Sequence, residues 1–300
     1  MPRPSPEQLL RRLEWTVIRK LDGLLQGDYR SLFRGFGLDL ADLREYQPGD
    51  DVRHIDWNVT ARTQVAHVRE HQEDREVTAW LLLDLSPSVD FGSTEATKRQ
   101  ALTEFTAVLA RLLTRHGNRV GAVFFGAQVD GLVPARTGRR HVLHILDALM
   151  SRPALPRAPA TDLSALLRSA AEVVRRRSLV FVISDFISAP GWDGALAMLA
   201  RRHEVLAVRL LDPLEMRLPQ LGLITLQDSE TGEQLFVDTQ DRAFRRRFAR
   251  AAEQREAELR EVFQRAGVDA LELSTEDEVG DAILSFAEMR RSRARGRMAV

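Results

Sequence analysis

Residues 79–93 read AWLLLDLSPSVDFGS. Five apolar residues stop at Asp84, and two hydroxyls then follow in alternation, Ser86 and Ser88. A short unbroken apolar run has no wet face, so it reads as a strand covered on both sides, the kind found in parallel sheets. A second such run, SLVFVISD (178–185), also ends in a carboxylate, Asp185.

Outward from these two strands the chain alternates. RVGAVFF (119–125), AQVDGLVPA (127–135), HEVLAVRLL (203–211) and VDALELS (268–274) read as further strands. Between them, helical periodicity predicts helices over 94–115, 139–150, 162–175, 192–202, 240–266 and 276–290, the first capped by Ser93 or Thr94. Strands alternating with helices predict a doubly wound α/β fold with a mostly parallel sheet. LGLITLQDSETGEQLFVD (221–238) departs from this pattern: two alternating runs flank a glycine-bearing turn, the signature of a hairpin.

The first 75 residues differ in character. Leu9, Leu10, Leu13, Val17, Ile18, Leu21, Leu24 and Leu25 recur at helical spacing, predicting an amphipathic helix over 6–26 that docks on the rest of the fold. Residues 27–75 carry glycines, charges and the turn signal QPGDD, and predict short strands and turns. The division expected is 1–75 as an N-terminal segment, 76–290 as the α/β domain, and 291–300 as a frayed basic tail.

Composition removes several function classes. Lys+Arg and Asp+Glu are both 43 in 300 residues, so the chain is not built to coat nucleic acid or an anionic membrane. With no cysteine there is no disulfide scaffold, thiolate zinc site or cysteine nucleophile. No apolar run reaches the roughly 20 residues of a membrane span, and the opening residues lack a secretory h-region, so a cytoplasmic protein is expected. No Gly-Lys-Ser/Thr phosphate loop is present, and neither His67/His71 nor His141/His144 completes a zinc set.

Ligands of such sheets bind beyond the carboxyl ends of the strands. If the strands ending at Asp84 and Asp185 are neighbours, two carboxylates converge, and one must protonate unless a cation joins them. Mg²⁺ seeks about six oxygens. Asp84, Ser86 and Ser88 can offer three together, with Pro87 stiffening the segment, and Thr161 in PATDLSALL (159–167) can offer another. The bland reading makes the same groups caps for loop amides.

In order and spacing, Asp84, Ser86, Ser88, Thr161 and Asp185 resemble the metal-ion-dependent adhesion site of von Willebrand factor type A domains. The resemblance implies a bound Mg²⁺ or Mn²⁺ with one position left for an acidic side chain of a partner. A second resemblance lies upstream. GLDLADLREYQPGDDVRHIDWNVTARTQVAHVREHQEDRE (37–76), with DPLE…LP (212–219) and DSETGE (228–233), is similar to the domain-of-unknown-function 58 family. That resemblance implies a central type A domain, no enzymatic activity, and work beside a MoxR-type AAA+ ATPase in assembling or activating client proteins. Within the segment, Arg44, Asp50, Asp51, Arg53, Asp56 and Arg62 form either structural ion pairs or a docking surface, with Trp57 as an apolar anchor.

The function expected is a non-enzymatic protein-interaction module. The alternative is a metal-dependent phosphatase using Asp84 as nucleophile; the sequence around it lacks the second aspartate or late lysine of aspartyl-phosphate enzymes.

Overall fold

The structure is a computed structural model, and it describes residues 4–21, 43–47, 50–52, 55–69, 77–93, 96–155 and 161–297. Its centre is the strand read first. β3 (Thr78–Asp84) has every residue from Ala79 to Asp84 buried. It pairs in parallel with β4 (Arg119–Phe125) on one side and β6 (Leu179–Ser184) on the other. The six-stranded sheet has the order β10-β7-β6-β3-β4-β5, with β7 (Glu204–Leu211) and β10 (Asp269–Ser274) parallel and β5 (Val129–Arg136) antiparallel at the edge. The chain runs from β3 outward to β5, then returns to β6 and proceeds the other way. The switch point therefore falls between β3 and β6, where both strands end in the site residues.

Alternate residues of β3 serve two cores. Leu81 and Leu83 join the helices α1 (Pro6–Leu13), α3 (Lys98–Arg115), α4 (Arg139–Met150) and α9 (Val279–Arg297) on one face. Trp80 and Leu82 join α5 (Leu163–Val173), α6 (Trp192–Arg202) and α8 (Arg242–Ala266) on the other. Period-two alternation between two apolar layers is why this strand looks uniformly apolar in sequence.

The N-terminal helix docks on its own fold, as expected. Ser5 and Gln8 form a reciprocal capping box, Pro6 starts the helix, and Leu9, Leu10 and Leu13 are buried. A π-helical turn over Glu14–Ile18 carries it on, and Glu14 accepts from Arg111 of α3 at 2.7 Å.

Several boundaries differ from expectation. α3 starts at Lys98, capped by Thr97, whose hydroxyl and amide pair with Gln100. Ser93 lies ahead of the helix, its amide donating to Asp212 at 2.8 Å, and Thr94 lies outside the described residues. α9 continues to Arg297, so most of the tail expected to fray is helical; arginine and alanine are good helix formers. Between β1 (Leu43–Glu45) and β2 (His67–Arg69), which pair antiparallel, lies a short helix, α2 (Trp57–Thr63). It arises because Asp56 accepts the Val59 amide at 3.2 Å, an N-cap inside a region read as strands and turns. The hairpin is present as β8 (Leu223–Gln227) and β9 (Gln234–Asp238), after the short helix α7 (Pro213–Met216). Among the described residues, no helix is long and apolar enough to cross a membrane.

Candidate functional site

Asp84 ends β3 with no exposed surface. Its Oδ1 accepts the Ser86 amide at 3.0 Å, and its Oδ2 accepts the Ser184 hydroxyl at 2.6 Å from the neighbouring strand. The Ser86 and Ser88 hydroxyls lie 3.2 Å apart. Ser88 is among the groups that lower the Asp185 carboxyl, so the alternation Asp84, Ser86, Ser88 runs from one aspartate toward the other. A 3-10 turn over Pro87–Asp90 bends the segment across the sheet end.

Asp185 lies one residue beyond β6. Its Oδ1 accepts the Ile187 amide at 3.1 Å. Phe186 follows with φ +53, a left-handed conformation rare for an aromatic residue, fixed by its amide donating to Ser184 at 2.8 Å. Thr161 precedes α5. Its carbonyl accepts the Ser188 hydroxyl and the Ala189 amide, each at 2.8 Å, which ties it to the loop that carries Asp185.

Two residues absent from the sequence reading enter here. The Lys98 ammonium is fully buried and donates to Asp185 at 2.8 Å and Glu215 at 2.6 Å. Glu230, from the turn between β8 and β9, accepts the Thr161 amide at 2.9 Å and also the Thr161 hydroxyl. Lys98 carried one signal: it is one of only two lysines among 43 basic residues. Glu230 lies inside DSETGE (228–233), where nothing marked it as a site residue, and Ser184, a strand hydroxyl, carried no signal.

The two aspartates are electrostatically unlike. Burial, then the charge of Asp185, pushes Asp84 up to about 6, against the hydrogen bonds from Ser184 and Ser86. Burial also pushes Asp185 upward, but Lys98 and then Arg209 outweigh it, and its carboxyl sits below the ordinary range. Lys98 is raised because Asp185 and Glu215 together overcome its own desolvation. Asp185 and Glu215 therefore share the Lys98 ammonium, with Arg209 also acting on Asp185, while among the described residues no cation bonds Asp84.

That donor set was tested against a divalent ion. Among the described residues, no group of three or more His, Cys, Asp or Glu is gathered for a metal. What converges is carboxylate and hydroxyl oxygen, a hard set that suits Mg²⁺ or Mn²⁺ and not zinc or copper. Each carboxylate oxygen keeps a lone pair beyond the hydrogen bond it accepts. The residues fit the ion.

The upstream segment is less uniform. Asp50 accepts the Gln47 amide at 2.8 Å, closing the expected turn, and Asp56 is buried as a helix cap. Asp51 and Arg62 have exposed side chains. Trp57, the first residue of α2, is 69% exposed and so is not a buried anchor of the segment within this chain. Arg53 and the Arg44 side chain lie outside the described residues.

The sequence model of a family described as "Protein of unknown function DUF58" matches residues 42–258. The uncharacterized protein Rv1480 of Mycobacterium tuberculosis is 39% identical over 296 residues, covering 98% of this chain and 92% of that protein. An "uncharacterized protein in moxR 3'region" of Paracoccus denitrificans is 35% identical over 103 residues, 34% of this chain and 97% of that one. Among solved structures, an aerotolerance-related membrane protein of Bacteroides fragilis superposes with a TM-score of 0.49 at 14% identity, covering 72% of this chain and 99% of that chain.

Proposed function

The chain belongs to the DUF58 family, and from that premise we propose that it is a non-enzymatic protein-interaction module with a metal-ion-dependent adhesion site. Asp84, Ser86, Ser88, Thr161 and Asp185 would hold Mg²⁺ or Mn²⁺. When bound, the ion supplies a coordination position for an acidic side chain of another protein. The observation that carries this reading is the buried Asp84, hydrogen-bonded toward Ser86 and Ser88 at the β3/β6 switch point and, among the described residues, bonded by no cation.

The partner proposed is a MoxR-type AAA+ ATPase or its client. Support comes from the relative named for a moxR 3' region and from the signature segment over 37–76. The site of action proposed is the cytoplasm. The alternative, a metal-dependent phosphatase, would use the same buried Asp84 as its nucleophile, and turnover of a phosphate ester that depends on Asp84 would favour it.

The test is co-purification of the full chain with a MoxR-type AAA+ ATPase from the same organism, in Mg²⁺ and in chelator. Capture in Mg²⁺ that is lost in chelator and in Asp84→Asn is the expected result. Capture unaffected by both would separate the partner from the site.

A further inference from the structure

The five site residues are all buried, and while the Thr161 carbonyl is held by the Asp185 loop, its amide and hydroxyl both go to Glu230. Both Glu230 carboxylate oxygens are used, one on the Thr161 amide and one on its hydroxyl. A bidentate hold on one residue, sixty-nine positions away in sequence, is not an incidental surface approach.

The hairpin is built to deliver this carboxylate. At its tip, Asp228 accepts the amides of Glu230 at 2.9 Å and Thr231 at 2.7 Å, and the Thr231 hydroxyl at 3.0 Å. Gly232, with φ +75, closes the turn by donating to the Asp228 carbonyl at 2.9 Å. At its base, the Thr239 hydroxyl joins the Leu221 amide and the Gly222 carbonyl, and Val237 is buried. Between base and tip the strands pack chiefly on each other, leaving Leu223 83% and Phe236 78% exposed. Apolar docking therefore does not explain why the tip rests on the site.

We propose that Glu230 is a resident acidic ligand of the site: the chain's own carboxylate occupies the position that a partner's acid would take. The inference rests on the metal-site reading above. Bound Mg²⁺ or Mn²⁺ would draw Glu230 further in, since each added anionic oxygen tightens a hard-ion site. A partner's carboxylate then enters by exchange with Glu230, and the exposed hairpin moves aside as it does so.

The test uses the full chain, chelator-stripped, with Mn²⁺ as probe. Free Mn²⁺ is read by electron paramagnetic resonance, and amide exchange of residues 228–233 by mass spectrometry. In the wild type, Mn²⁺ binds and slows exchange at the hairpin tip. In Glu230→Gln, with circular dichroism unchanged, affinity falls by about tenfold and the exchange effect disappears. If Glu230→Gln binds Mn²⁺ as the wild type does, with unaltered tip exchange, while Asp84→Asn loses it, this inference is overturned and the metal site stands. If wild type and Asp84→Asn alike bind no Mn²⁺, both are overturned.

Discussion

At the scale of single residues, Lys98 decides how much charge the site can hold. An ammonium with no exposure between Asp185 and Glu215 contributes by its absence of alternatives: remove it, and two carboxylates face each other in a desolvated place. Lys98→Met is expected to cost about 3–5 kcal/mol of unfolding free energy in urea titrations, the fold surviving but weakened. Asp84 behaves oppositely. In chelator, Asp84→Asn removes the repulsion with Asp185 and is expected to melt no lower than the wild type. Asp84 and Asp185 could be found in the sequence because each closes an apolar run. Lys98, Ser184 and Glu230 could not, since their roles come from partners 87, 100 and 69 positions away.

His203 sits at the opposite end of the sheet, just before β7. Its ring is buried with neither nitrogen hydrogen-bonded, and burial, then Arg202, lowers its pKa below the ordinary 6.5. The unfolded chain therefore binds the proton more readily than the folded one. Stability is full above 6.5 and falls as pH drops from there toward the lowered value. His141, also lowered by burial, adds to this slope, while Asp84, raised to about 6, opposes it at the acid end; in thermal melts between pH 6 and 7.5, His203→Phe should reduce the slope.

At the scale of elements, the sheet was legible because its inner strands β3, β4, β6 and β7 are apolar runs, its edge strands alternate, and its helices are amphipathic. β3, β4 and α4 lie where periodicity puts them. The start of α3 was not legible: Ser93 and Thr97 both have the chemistry of a cap, and it is Thr97, with Gln100 three residues on, that closes the capping box. α2 was hidden for a related reason, its cap Asp56 lying in a run of charges that reads equally well as a turn. Close packing between β3 and β4 gives a prediction at this scale. A Cβ on Gly121 would lie 2.7 Å from the Trp80 ring. Gly121→Ala is therefore expected to destabilise by about 1–3 kcal/mol through overpacking, measured by denaturant midpoint.

For the whole molecule, topology brings the pieces together. The reversal of strand order between β3 and β6 sets Asp84 beside Asp185. α3 feeds Lys98 in from one side, and the hairpin brings Glu230 from the other. None of these residues makes a site alone. The central claim is that the assembled oxygens bind a divalent ion through which the chain meets its partner. Calorimetric titration of the chelator-stripped full chain with Mn²⁺ tests it most directly. One saturable site in the wild type and none in a folded Asp84→Asn variant is the expected result; no heat in the wild type, or equal heat in both, would refute the metal site.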